Sequence, residues 1–218
     1  MIAAVVFDLD GVLVDSEAAW DAARRELVRE RGGTWKDSAT RDMLGMSSLE
    51  WSQYVADELG VDLAPEEISA WVVDQLIADY RKQLPLMPGA VEAVERLAAR
   101  WPLGLASSSN PEVIELVLLD SGLERHFSAW VSSTQVGPGK PAPDVYLEAA
   151  RRMNAPPDEC VAIEDSENGI KSAHAAEMSV IAIPNRDFPP PASALALADH
   201  VAGSLDELTP ELVERVAA

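Results

Sequence analysis

The chain has 218 residues, 48% of them apolar and 25% charged, which is globular composition with ample material for a core. Its 17 Lys and Arg stand against 37 Asp and Glu, a formal net charge of −20, so neither a nucleic-acid partner nor casual self-association is expected and the chain reads as a monomer. The single cysteine, Cys160, excludes an intrachain disulfide and fits a cytoplasmic setting, while no apolar run approaches the roughly 20 residues of a membrane span and the start, MIAAVVFDLDG, lacks the charged n-region of a signal peptide.

In chain order, Ile2–Phe7 is a short apolar run rich in β-branched residues, closed by Asp8 and the Gly11 turn, and predicts a buried strand. From Ser16 to Gln83 the apolar positions recur at three- and four-residue spacing (Trp20, Ala23, Leu27; then Trp51, Tyr54, Val55, Leu59), and no strand is expected there. Ala64-Pro65-Glu66-Glu67 opens a helix with acids in its first turn. Leu86-Met87-Pro88-Gly89 ends this stretch. Beyond it, apolar runs at Leu103–Ala106, Ala129–Ser132, Val161–Ile163, Val180–Ile183 and His200–Ala202 predict further strands. Helical patterns lie between them: Glu112–Asp120 behind Asn110-Pro111, Asp144–Met153 with Val145, Leu147, Ala149 and Ala150 as its apolar positions, and a last helix opened by Thr209-Pro210. Strand and helix alternating in this way predict an α/β fold, a doubly wound parallel sheet. It is assigned to residues 1–15 and 84–218, and a separate all-α unit to 16–83.

Ligands of open α/β sheets bind beyond the carboxyl ends of the strands. The residues there are Asp8 and Asp10, then Ser107-Ser108-Ser109-Asn110, then Gly139-Lys140-Pro141 in a long loop, then Glu164-Asp165. Four carboxylates together call for a cation, and oxygen-only ligands favour Mg²⁺. Hydroxyls, open backbone N–H groups and a lysine beside that cation suit an anion such as phosphate. Taken singly, each piece has an ordinary explanation: a solvated turn, a serine-rich loop, an exposed lysine, a helix cap. Their common place at strand ends is what the ordinary explanations do not require.

Asp8-Leu9-Asp10-Gly11-Val12 resembles the first motif of the haloacid dehalogenase superfamily of phosphohydrolases. Ser107-Ser108 resembles its second motif, Lys140-Pro141-x-Pro143-Asp144 its third, and Ile163-Glu164-Asp165-Ser166-x-x-Gly169 its fourth. The helical stretch after the first motif is similar to the cap of the β-phosphoglucomutase-like branch. The resemblance implies a Rossmann-like core, Mg²⁺ as cofactor and a small phosphorylated metabolite as substrate. It makes Asp8 the nucleophile and Asp10 the general acid and base. Asp8, the Asp10 carbonyl, Asp165 and Glu164 (directly or through water) would hold the metal, and Ser107, the Ser108 backbone and Lys140 would hold the phosphoryl oxygens. Asp10 favours phosphate chemistry, because family dehalogenases lack this second aspartate. Leu44 and Ser48 stand where the mutase branch carries a lysine and an arginine, which favours a phosphatase over a hexose-phosphate mutase. A catalytically silent acidic binding module is the alternative of another class. Glu17 is a candidate substrate contact beside the inserted helices. Asp15 is assigned to the turn, Met46 and Trp51 to the core, and Arg41, Arg81 and Lys82 to a solvated face.

Overall fold

The computed structural model describes residues 1–217. Six strands form one parallel sheet: β1 (Ala4–Phe7), β2 (Leu103–Ser107), β3 (Phe127–Ser132), β4 (Cys160–Glu164), β5 (Ser179–Ala182) and β6 (His200–Val201), in the order β3-β2-β1-β4-β5-β6. The order reverses at β1, so β1 lies between β2 and β4, with Phe7 in register with Leu105 and with Ile163. The residues following these three positions therefore emerge side by side at one end of the sheet.

Period-two alternation divides the strands between two cores. Val5, Phe7, Leu103, Leu105, Val161 and Ile163 face one side and belong to a large apolar cluster. Ala4, Val6, Ala106, Ala162 and Ala182 face the other, where Val145, Tyr146, Ala149, Ile170 and Ala173 pack. Small residues on that face let two helices approach the sheet closely. They are α7 (Asp144–Arg152) and α8 (Glu167–Ala175).

The remaining helices are α1 (Glu17–Glu30), α2 (Ala39–Asp42), α3 (Ser48–Leu59), α4 (Pro65–Tyr80), α5 (Ala90–Ala98), α6 (Pro111–Ser121), α9 (Ala192–Leu195) and α10 (Pro210–Val216). The first four fill the stretch between β1 and α5, as the periodicity predicts, and α4 packs against both α1 and α3. Ser47 and Glu50 form a capping box at the start of α3, satisfying two otherwise orphaned N–H groups. The chain leaves and re-enters at adjacent points, where Asp15 N–H donates to the Pro85 carbonyl at 2.8 Å and Met87 N–H to the Leu13 carbonyl at 2.9 Å. The large cluster is continuous from β1 through Leu9 and Val12 into Trp20, Leu27, Trp51 and Val72.

Three local expectations need correction. β3 begins at Phe127, ahead of the expected Ala129, because its first four residues lie half-exposed on an edge strand and lack an apolar run. In α7 it is Tyr146 that is buried, while Leu147 is 40% exposed. Asn110 occupies the N-cap position of α6, but its side chain makes no capping bond and instead accepts one from the Ser48 hydroxyl on α3.

Candidate active site

The carboxyl ends of β1, β2 and β4 open into a cleft of about 640 Å³ whose walls include Asp8, Asp10, Lys140 and Asp165 from the sheet side and Glu17, Trp20 and Arg24 from α1. Asp8 follows Phe7 directly, and its N–H continues the ladder by donating to the Ile163 carbonyl at 3.0 Å. The backbone of the sheet thus fixes the root of this side chain.

Lys140 is the centre of the buried charge. Its ammonium donates to Asp8 Oδ1 at 2.8 Å, to Glu164 Oε1 at 2.6 Å and to the Ala106 carbonyl at 3.1 Å. Burial opposes its charge, but Asp8 and Glu164 outweigh that cost and hold its pKa above the ordinary lysine value. Glu164 is fully buried, and both of its oxygens are occupied. Oε1 accepts from Lys140 and from the Tyr146 hydroxyl at 2.8 Å; Oε2 accepts from the N–H groups of Asp165 and Ser166 and from the Ser166 hydroxyl. Tyr146 is a residue that sequence reasoning missed; its burial and Glu164 push its pKa well up, so it serves as a donor.

Asp8, Glu164 and Asp165 bring one oxygen each to within 4.8 Å of one another. Burial pushes the pKa values of Asp8 and Asp165 up, with Glu164 adding to the shift and Lys140 opposing it. One ammonium, bonded to Asp8 and Glu164 and not to Asp165, stands against three buried carboxylates, and a divalent cation would complete the balance. Hard oxygen donors and no nitrogen or sulfur suit Mg²⁺. Two glycines make room for this arrangement. Gly11 has φ +76° and a Cβ there would fall 2.0 Å from Asp165 Oδ2; a Cβ on Gly169 would fall 1.8 Å from Glu164 Oε1.

Asp10 stands apart from that acidic trio. Its Oδ1 accepts from Trp20 Nε1 at 3.1 Å, and its Oδ2 from the hydroxyls of Ser109 at 2.6 Å and Ser107 at 3.3 Å. Ser107 is fully buried and also accepts from the Ser109 N–H, whereas Ser108 and Ser109 line the cleft. Trp20 was missed as a site residue, and Ser109, expected at the strand end, was given no role of its own. Trp20 had a legible signal, since it shares a helical face with Glu17 and Arg24 at three- and four-residue spacing. Met46 and Trp51 both reach the cleft wall, and Trp51 is at the same time buried core. Arg41, Arg81 and Lys82 are exposed as expected, with Arg41 at the cleft rim and Lys82 paired to Asp79.

A family model for hydrolases, described as haloacid dehalogenase-like hydrolase, matches residues 2–177. The chain belongs to that family. Among curated relatives of this haloacid dehalogenase-like hydrolase, Hexitol phosphatase B of Escherichia coli (strain K12) is 34% identical over 211 residues, covering 95% of each chain. Fructose-1-phosphate phosphatase YqaB of the same organism is 30% identical over 182 residues, covering 82% of this chain and 95% of its own. Among solved structures, CbbY from Rhodobacter sphaeroides in complex with phosphate aligns with a TM-score of 0.87 and 25% identity over 98% of this chain and 100% of its own. β-Phosphoglucomutase from Clostridium difficile aligns with a TM-score of 0.85 and 22% identity over 100% and 97%, a likeness of fold. The hydrolase is an enzyme of phosphatase-type kin, and among its described residues no helix is long and apolar enough to cross a membrane.

Glu17 supports a prediction of its own. Burial, then repulsion from Asp10, pushes its pKa from 4.5 up to about 7 in the folded chain. The fold thus prefers the protonated form, so Glu17 costs stability increasingly as pH rises from its unfolded value through 7. Each tenfold change in proton affinity on folding is worth about 1.4 kcal/mol, so Glu17→Gln should gain about 1 to 3 kcal/mol over wild type in urea unfolding at pH 8. The gain should shrink below about 1 kcal/mol at pH 5. A gain independent of pH would show that Glu17 ionises as freely in the fold as in the unfolded chain.

Proposed function

We propose that this hydrolase is a Mg²⁺-dependent phosphatase of small sugar phosphates, working through phosphorylated Asp8. The observation that carries the reading is the division of labour between two aspartates two residues apart: Asp8 is gripped by Lys140 in the acidic trio, while Asp10 is held separately by Trp20, Ser107 and Ser109. An Asp8 oxygen attacks phosphorus, the bond from phosphorus to the sugar oxygen breaks, and Asp10 gives that oxygen its proton. Asp10, now ionised, takes a proton from water, and the resulting hydroxide cleaves the phosphoaspartate to release phosphate. The serine hydroxyls around Asp10 can turn, so the same contacts serve both of its protonation states.

Lys140 and the Ser108 backbone hold phosphoryl oxygens in this scheme. Asp8, Asp165 and the Asp10 carbonyl would hold Mg²⁺, and Glu164, already receiving five donors, orients Lys140 and Asp165 and would stand beside the metal, directly or through water. When bound, the metal neutralises charge on the transferring group. The boundary assigned above, with residues 16–83 as a cap over residues 1–15 and 84–218, is part of the same proposal; it is supported by the adjacent crossings at Asp15–Pro85 and Leu13–Met87. The phosphatase names of the two Escherichia coli relatives support the substrate class. Leu44 and Ser48 bring no cation to the cleft wall, which favours hydrolysis over transfer to a second sugar hydroxyl.

The test is phosphate release from a panel of sugar phosphates with Mg²⁺ or with EDTA. Conversion of a hexose 1-phosphate to the 6-phosphate without release would replace hydrolysis by mutase chemistry. The metal has a second readout, because a cation that binds only the folded site raises stability. Mg²⁺ at about 100 times its Kd should add about 2.7 kcal/mol, a Tm rise of about 5 to 10 °C for a chain of this size. EDTA should reverse it and Asp165→Asn should abolish it in a thermal melt.

A further inference from the structure

The cleft contains a cation that the proposed hydrolysis leaves unused. Arg24 lies on α1, two turns beyond Glu17, and is 8% exposed while lining the cleft. Its guanidinium carbon is 5.1 Å from the ring centroid of Trp20 and 4.8 Å from that of Trp51. Two indoles therefore fix where the group sits and in part replace its lost hydration. Yet Nε is buried with no hydrogen-bond partner, and among the described residues no ion pair within 4.0 Å involves the guanidinium nitrogens of Arg24. Glu17, Asp10 and Asp21 act on it only through space; burial lowers its pKa to about 10, which still leaves it charged at neutral pH.

A buried, unpartnered Nε is costly, and the terminal nitrogens of the guanidinium are not among the covered, unpartnered atoms, which leaves them to meet a ligand in the cleft. Its planar fork of donors matches the paired oxygens of a carboxylate or phosphate better than it matches single hydroxyls. The space in front of it is the same cleft that holds Asp8, Asp10 and Lys140. A ligand whose phosphoryl group sits at Lys140 could extend its other end along that wall. We propose that Arg24 is a specificity-determining residue that binds a second oxyanion carried by the leaving group, so that the hydrolase prefers acidic sugar phosphates over neutral polyol phosphates. This rests on the phosphatase reading above. It departs from what the names of the relatives suggest, since hexitols and fructose 1-phosphate offer a neutral leaving group. The subsite is also distinct from the positions of Leu44 and Ser48, which carry no charge here.

The experiment uses matched esters on the full chain with Mg²⁺. Glucitol 6-phosphate and 6-phosphogluconate differ in a terminal CH₂OH against a carboxylate; fructose 1-phosphate and fructose 1,6-bisphosphate test phosphate as the oxyanion. Wild type should favour the acidic member of at least one pair by about 10-fold or more in kcat/KM, and the pair that does so identifies the oxyanion. Arg24→Met should lower that acidic-to-neutral ratio about 100-fold, chiefly through KM. Glu17→Gln, which removes a facing carboxylate, should lower KM for the acidic ester. Equal or better turnover of both neutral esters by wild type overturns the proposal without any variant. So does a folded Arg24→Met that loses the members of each pair equally, since that marks Arg24 as a prop between two tryptophans. Should no ester release phosphate, the phosphatase reading fails. Tryptophan fluorescence of wild type then decides the Arg24 subsite separately, because Trp20 and Trp51 flank the guanidinium. A saturable change with 6-phosphogluconate or fructose 1,6-bisphosphate, and none with the neutral partner of that ester, supports it, and any other pattern overturns it.

Discussion

Asp8→Asn is expected to reduce phosphate release by about 10⁴-fold or more, because an amide offers no carboxylate oxygen to attack phosphorus. The variant should nevertheless fold. The amide oxygen can still accept from Lys140, and the substitution removes one of three buried acids that repel one another. Without metal, its Tm should equal or exceed that of wild type, while its Mg²⁺-induced rise should be smaller. An inactive protein that is at least as stable as its parent is a combination that general damage to the fold does not produce. Asp10→Asn makes the contrast, with a loss of about 10²- to 10⁴-fold, the usual worth of a positioned acid and base. Retained activity in Asp8→Asn would remove Asp8 from the nucleophile role. The assay is phosphate release under single-turnover and steady-state conditions, beside thermal melts with Mg²⁺ and EDTA.

Lys140→Met is the substitution with the largest expected cost in stability. Lys140 is buried, and its ammonium is the only side-chain cation that bonds Asp8 and Glu164 among the described residues. Removing one partner of a buried ionic group leaves the rest uncompensated, at about 3 to 5 kcal/mol. For a chain of this length that lowers Tm by roughly 6 to 20 °C. The deficit should narrow as pH falls, because protonating Asp8 or Asp165 removes the charge that Lys140 had balanced. Phosphate release should be lost at every pH. Urea unfolding from about pH 5.5 to 8.5 checks the slope, and a deficit under about 1 kcal/mol throughout would show that Lys140 balances little buried negative charge in the resting protein.

The sheet and the acids at its edge were legible in the sequence because both depend on local pattern. A buried parallel strand reads as a short apolar run, and the polar residue that closes it marks the strand end: Phe7 before Asp8, Ile163 before Glu164. α5 was not among the expected helices, and the start of β3 was hidden by its half-exposed edge position. What the sequence did not reveal is set by contacts between distant segments. Tyr146 reaches Glu164 across 18 positions, Trp20 reaches back from α1 to Asp10 in the turn after β1, and Asn110 leaves its own cap to meet Ser48. Arg24 and Arg25 stand side by side in the sequence, and nothing local to them tells one from the other. Only the packing of α1 against α3 separates them, burying Arg24 between two indoles while Arg25 stays exposed over Trp35.

Gly169 touches no substrate in the proposed scheme, yet it would behave genetically like an active-site residue. A methyl group there occupies the place of the Glu164 carboxylate, and displacing that carboxylate releases Lys140, and through it Asp8. In a library sorted for activity, Gly169→Ala would therefore score with the acids themselves. Its suppressors would be found at residue 164, where a shorter Asp could vacate the contested space, and not among the residues of the cleft wall.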